Sequence, residues 1–164
     1  MNKLNLQNRY QFQALSESDT KRLATEMAKQ TQAGIVITLD GDLGAGKTTF
    51  SQAFAKGIGI TEIVNSPTFV IIKEYEGERL PLYHMDVYRL SIEEADELGL
   101  EEYFYGNGVC LVEWSSKITE LLPSNRLEIF ISHLGDQKRE FEIIPRGELY
   151  INCCENMKKN GVLS

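Results

Sequence analysis

The stretch Gly41–Phe50, GDLGAGKTTF, places three glycines, a lysine and two threonines in one short segment. Gly41, Gly46, Lys47 and Thr48 fill the pattern G-x-x-x-x-G-K-[ST], which average composition produces by coincidence in roughly one chain in a hundred or fewer. The chemistry of this pattern is anion binding. Glycines let the backbone curl until successive N–H groups point inward and form a nest for phosphate oxygens. A helix starting near Lys47 adds unpaired N–H groups and the positive end of its dipole. Lys47 then reaches the β- and γ-phosphates of a nucleotide, and the Thr48 hydroxyl becomes a ligand for Mg²⁺. An innocent strand-to-helix turn is the competing interpretation, since glycine suits turns anyway. The flanks favour the nucleotide: an apolar run precedes the turn and a helical pattern follows it, the context that the motif requires.

A phosphate loop holds phosphates without hydrolysing them. Phosphoryl transfer also needs a carboxylate for Mg²⁺ or its waters and a group that places the nucleophile. Two acids end apolar strands after the turn, Asp86 in LPLYHMD and Glu113 in GVCLVE. A solvated carboxylate at a strand end is the ordinary alternative for each. Within NSPTF, Pro67 fixes a turn, and Thr68 is either a γ-phosphate sensor of the kind found in switch loops or a plain turn residue. His84 is read as a core-facing strand residue in preference to a phosphate-side donor. Trp114, the single tryptophan, is a large apolar anchor or a reporter of nucleotide state.

Elements must carry these residues to one place. RYQFQAL alternates and predicts a strand with Tyr10, Phe12 and Ala14 on one face. A helix follows, capped by Ser16 or Ser18, striped by Leu23, Ala24, Met27 and Ala28, and ended by Gly34. IVITLD, residues 35–40, is apolar on both faces, as a central strand should be. After the glycine turn, KTTFSQAFAKGIG predicts a helix that stops at Gly57 or Gly59. Two strands around Gly77 follow, the second ending near Asp86, then a helix with a Ser91/Glu94 capping box. GVCLVEW predicts another buried strand, and RLEIFISHLGDQKREFEIIP a hairpin around Gly-Asp. The tail from Gly147 is compatible with a short helix or a frayed end. Alternating strands and helices imply one α/β domain over residues 1–164, a three-layer P-loop NTPase-like fold with a central, mostly parallel sheet and antiparallel edge hairpins.

The chain of 164 residues suits one core. Its 17 basic and 24 acidic residues give a net charge of −7, which disfavours an extended nucleic-acid grip. Partners, if macromolecular, would present basic patches or be reached through another subunit. Three cysteines, two of them adjacent, make a poor disulfide framework and suit reduced thiols. No run approaches the ~20 apolar residues of a membrane span, and MNKLNLQNRYQFQ lacks a signal-peptide core. A cytoplasmic location is expected.

GDLGAGKTTF, SPTF, YHMDVYRL and CLVEW, in this order and spacing, resemble the TsaE family, bacterial P-loop ATPases needed for threonylcarbamoyladenosine in tRNA. The likeness runs from about Gly34 to Trp114. It implies ATP and Mg²⁺ as cofactors and slow ATP hydrolysis. It also implies two partner proteins, TsaD and TsaB, which modify adenosine 37 of tRNAs that read codons starting with A. It further implies regulation or resetting of that complex without making the bond, and the net charge of −7 predicts that tRNA is met only through it. By the same resemblance, the phosphate loop is Gly41 to Thr49, including Asp42, Leu43, Gly44, Ala45, Gly46, Lys47, Thr48 and Thr49. Thr48 and Glu113 hold the metal, and Asp86 orients the attacking water. Ser66, Pro67 and Thr68 resemble a switch segment, and Arg139 is a candidate for contact with the base.

A P-loop small-molecule kinase is the alternative. It calls for an acceptor pocket and an arginine-rich lid, whereas Arg79, Arg89 and Arg126 are scattered. A GTP switch would need N-K-x-D, which is absent. A binding module with a relic loop fits poorly with intact Lys47 and Thr48 and two well-placed acids.

Overall fold

The computed structural model describes residues 8–42, 44–65 and 71–164. Leu43, Ser66, Pro67 and Thr68 lie outside them. Among the described residues seven strands form one sheet: β1 (Tyr10–Ala14), β2 (Val36–Gly41), β3 (Ile72–Tyr75), β4 (Leu82–Asp86), β5 (Val109–Glu113), β6 (Arg126–Gly135) and β7 (Lys138–Arg146). Their spatial order is β1-β7-β6-β2-β5-β4-β3. The central pairs β6–β2, β2–β5 and β5–β4 are parallel, while β3, β7 and β1 add antiparallel pairings at the flanks. The predicted α/β architecture is the one observed.

Residues of β5 divide between two apolar cores. Val109 and Leu111 join one, Cys110 and Val112 the other, as the two-residue period of a strand covered on both sides requires. The first core holds α1 (Glu17–Lys29), α2 (Lys47–Gly57) and α5 (Glu148–Lys159), through Leu23, Met27, Phe50, Phe54 and Met157. The second takes α3 (Ile92–Glu97), α4 (Glu101–Phe104) and a 3₁₀ segment, Ser115–Leu121, through Ala95, Phe104 and Ile118. The layers are therefore helix, sheet and helix.

Side-chain caps start two of the helices. The Ser16 side chain accepts the Asp19 N–H and caps α1. Ser91 and Glu94 form the expected capping box on α3. Gly34 does not end α1, which stops at Lys29. A distant side chain serves that end instead: the Arg79 guanidinium donates to the carbonyls of Ala28 and Thr31. Gly34, with φ +90°, belongs to the turn into β2, where its N–H reaches the Gly108 carbonyl. The tail from Gly147 forms α5 and is anchored in the first core. Tyr150 Oη accepts the Val36 N–H at 2.8 Å, and Ser164 exchanges both backbone hydrogen bonds with Gln11 at 3.2 Å.

α1 and α2 cross closely at Gly57. A Cβ there would lie 2.5 Å from the Ala28 Cβ, an atom fixed to its own helix. Alanine in a helix is favoured over glycine by ~1 kcal/mol, but overpacking costs ~1–3 kcal/mol. The clash should win. Gly57→Ala is expected to lower stability by about 1 kcal/mol in urea unfolding, and a double-mutant cycle with Ala28→Gly should show favourable coupling. A stabilised Gly57→Ala protein would refute the tight crossing.

Candidate functional site

The parallel strands β2, β5 and β4 end side by side. Leu39 pairs with Glu113, and Glu113 pairs with Asp86. In open α/β sheets, ligands bind in the crevice outside such carboxyl ends, and the glycine-rich turn leaves β2 at that edge. Its glycines answer specific demands. A Cβ on Gly41 would sit 2.7 Å from the Ile131 carbonyl oxygen of β6, and Gly46 has φ +106°. Gly46 occupies the N-cap of α2 with no side-chain cap, so no cap side chain covers the N–H groups of the first turn.

Lys47 begins α2 and is 7% exposed. Its ammonium donates to the Gly41 carbonyl and lies 3.9 Å from the centroid of the Trp114 ring. Thr48, on the same turn of helix, is exposed, and the Thr49 hydroxyl is 3.4 Å from Glu17 Oε1. Asp42 and Gly44 are exposed, and Ala45 is buried. Arg139, at the start of β7, reaches the turn itself. Its Nε donates to the Ala45 carbonyl at 2.7 Å and Nη2 to that of Gly44 at 3.3 Å. A cavity of about 210 Å³ lies beside the turn, lined by Glu17, Thr20, Gly46, Thr49, Gln137 and Arg139. Arg139 thus touches both the turn and the recess next to it.

Glu113 is 2% exposed, and its Oε2 lies 2.5 Å from His84 Nε2. His84 was expected in the core and is there, yet bonded to a site acid. Asp86 Oδ1 accepts the Tyr88 N–H at 3.0 Å. Burial pushes the Asp86 pKa up and the charge of Glu113 adds to the rise, while the Tyr88 bond, Lys47 and His84 oppose it. Trp114 has φ +61°, a left-handed conformation that costs a bulky residue ~1–2 kcal/mol. Its ring packs on Tyr88 with centroids 4.7 Å apart.

Sequence reasoning did not single out Asp40 or Ser115. Ser115 Oγ donates to Asp40 Oδ2 at 2.5 Å, tying the segment after β5 to the tip of β2. Burial raises the Asp40 pKa, and the Ser115 bond and the Lys47 charge oppose the shift. An acid closing a run of buried residues next to Gly41 was the available signal for Asp40. Ser115 offered none. Cys110, Cys153 and Cys154 are free thiols, and burial lifts Cys110 and Cys154 to about 12, so neither is a ready nucleophile.

Fold and site together define a mixed α/β protein with a glycine-rich strand-to-helix turn facing paired acids at the carboxyl edge of a mostly parallel sheet. Residues 14–141 match the family model described as threonylcarbamoyl adenosine biosynthesis protein TsaE. The chain is 51% identical to the tRNA threonylcarbamoyladenosine biosynthesis protein TsaE of Bacillus subtilis, covering 93% of this chain and 96% of that one. It is 43% identical to the TsaE protein of Treponema pallidum, over 78% of this chain and 95% of that one. The crystal structure of Bacillus subtilis YdiB superposes with a TM-score of 0.82 at 47% identity, covering 93% of this chain and 96% of that one. The chain belongs to the TsaE family. Among the described residues no helix is long and apolar enough to cross a membrane.

Because burial holds the Asp86 pKa above its unfolded value, this acid favours folding below the ordinary carboxylate range of about 4. It loses that contribution as pH rises through the raised value. Asp86→Asn keeps the acceptor for Tyr88. It should melt at a higher temperature than wild type near neutral pH, with the difference shrinking in scans at pH about 3.5. A gain that did not vary with pH would contradict the assignment.

Proposed function

We propose that this protein binds ATP with Mg²⁺, hydrolyses it slowly, and serves threonylcarbamoyl modification of adenosine 37 in tRNAs reading codons that start with A. Its role is that of an accessory ATPase acting on partners of the TsaD and TsaB type. One observation carries the nucleotide reading: an uncapped helix N-terminus and the Lys47 ammonium stand at the strand edge where Glu113 and Asp86 are paired in register. The names of its relatives carry the tRNA reading.

The donor set suits the ligands. The first-turn N–H groups and Lys47 match phosphate oxygens. The Thr48 hydroxyl and the Glu113 carboxylate are hard oxygen donors, the kind Mg²⁺ takes one or two of while keeping waters and substrate phosphates as its other ligands. When bound, the metal would neutralise charge on the terminal phosphates. Asp86, its proton affinity raised by burial, is suited to orient a water and accept its proton. The Arg139 bonds to the turn's carbonyls steady the loop and leave its N–H groups for the ligand.

The acidic balance, −7 overall, fits a subunit that approaches RNA through another protein, since bare tRNA would repel it. Pull-downs in ATP and in ADP should recover the TsaD–TsaB type of complex with different yields. Tight tRNA binding by the isolated protein at physiological salt would refute this docking mode.

Titration of Trp114 fluorescence tests the site directly, because Lys47 lies on the ring of this single tryptophan. Wild-type emission should change on adding ATP with Mg²⁺. Lys47→Ala should abolish binding, and Glu113→Ala should cut hydrolysis by about 10²-fold or more while keeping measurable ADP affinity. Equal turnover by Glu113→Ala and wild type would remove the metal assignment.

A further inference from the structure

His84 stands in β4 opposite Lys73 of β3 and Leu111 of β5, and its side chain is fully buried at 0% exposure. Residues two apart on a strand share a face, so its ring lies on the side of Asp86, whose register partner is Glu113. Nε2 is 2.5 Å from Glu113 Oε2, whereas the buried Nδ1 has no hydrogen-bond partner among the described residues. A carboxylate accepts and cannot donate. With Glu113 Oε2 facing Nε2 and no partner at Nδ1, Nε2 is the nitrogen that donates. A histidine kept for packing alone would be a poor choice, since burying an unpaired polar nitrogen costs free energy that leucine would not incur. The one return on that cost is the bond to Glu113.

We propose that His84 is a positioning residue for the nucleotide site. Its Nε2–H holds Oε2 of Glu113, fixes the carboxylate in one orientation and leaves Oε1 for the metal of a bound nucleotide. This rests on the nucleotide reading above. Removing the outer hydrogen-bond partner of a metal ligand typically costs ~10–100-fold in metal affinity or activity, and the same range is expected here.

The test compares wild type, His84→Gln and His84→Asn by calorimetric titration of ADP with Mg²⁺ and with EDTA. Glutamine carries its amide about as far out as Nε2, and asparagine is one methylene shorter. Both place an amide in the same core, so thermal melts should show similar stability losses. The gain in ADP affinity from Mg²⁺ should stay within about threefold of wild type in His84→Gln and fall ~10-fold in His84→Asn. Affinity in EDTA should be alike in all three. In ATP hydrolysis with Mg²⁺ the loss in His84→Asn should include a matching rise in KM, because slow chemistry makes KM follow the dissociation constant. A full magnesium gain in His84→Asn, or equal losses in both variants, would overturn the proposal. If wild type binds ADP without any magnesium gain, the metal reading itself fails and takes this inference with it. Should His84→Asn not fold, ¹⁵N-histidine NMR of wild type decides. A proton on Nε2 whose resonance moves on adding ADP and Mg²⁺ supports the role, and an Nε2 that carries no proton excludes it.

Discussion

Register across the parallel ladder from β2 through β5 to β4 is the constraint on which the site depends. Glu113 meets Leu39 on one side and Asp86 on the other. Every second side chain faces the helices α1 and α2, so a slip of one residue in β5 would turn Glu113 to the opposite face and bring Val112 in its place. Buried apolar residues prevent that slip. Val109 and Leu111 fill one core and Cys110 and Val112 the other, so a slip would exchange two pairs of different size and shape and mispack both cores. The polar site is held in place by apolar packing several residues away.

Three consecutive residues, the last of that ladder and the two after it, each have a separate anchor. Glu113 is tied to His84, Trp114 lies beneath the Lys47 ammonium, and Ser115 bonds to Asp40. A mostly buried ammonium needs electron-rich neighbours, and the Gly41 carbonyl and the indole face provide them. The same contacts hold Trp114 in its left-handed backbone conformation, the kind of local strain that surroundings must over-determine to persist. Under the proposed nucleotide binding, phosphate oxygens would compete for the ammonium that now rests on the Trp114 ring.

Much of this was legible in the sequence. Alternation in RYQFQAL and the hairpin, the doubly apolar strands and the Ser91/Glu94 box each encode local structure, and each element formed. The glycine turn and the acids Asp86 and Glu113 were legible because strand ends declare themselves by a change from apolar to charged. Long-range partners were not. The end of α1 depends on Arg79, some fifty positions away in the chain, and no local pattern announces it. The short α4 and the 3₁₀ segment rest on packing in the second core more than on periodicity. His84 showed its burial in the apolar run but not its bond, since pairing with Glu113 needs the register of two strands at once.

β1 would otherwise leave a row of unpaired backbone groups at the sheet's border, an invitation to join another chain. Ser164 pairs with Gln11 there, and Tyr10 is bonded to Glu155 of α5. The border strand and the last helical segment therefore cannot loosen independently. Peeling α5 away would unmask the border, and fraying of β1 would release α5, making the two a single cooperative opening unit. Amide exchange at Gln11 consequently gauges the docking of a helix more than a hundred residues further along the chain.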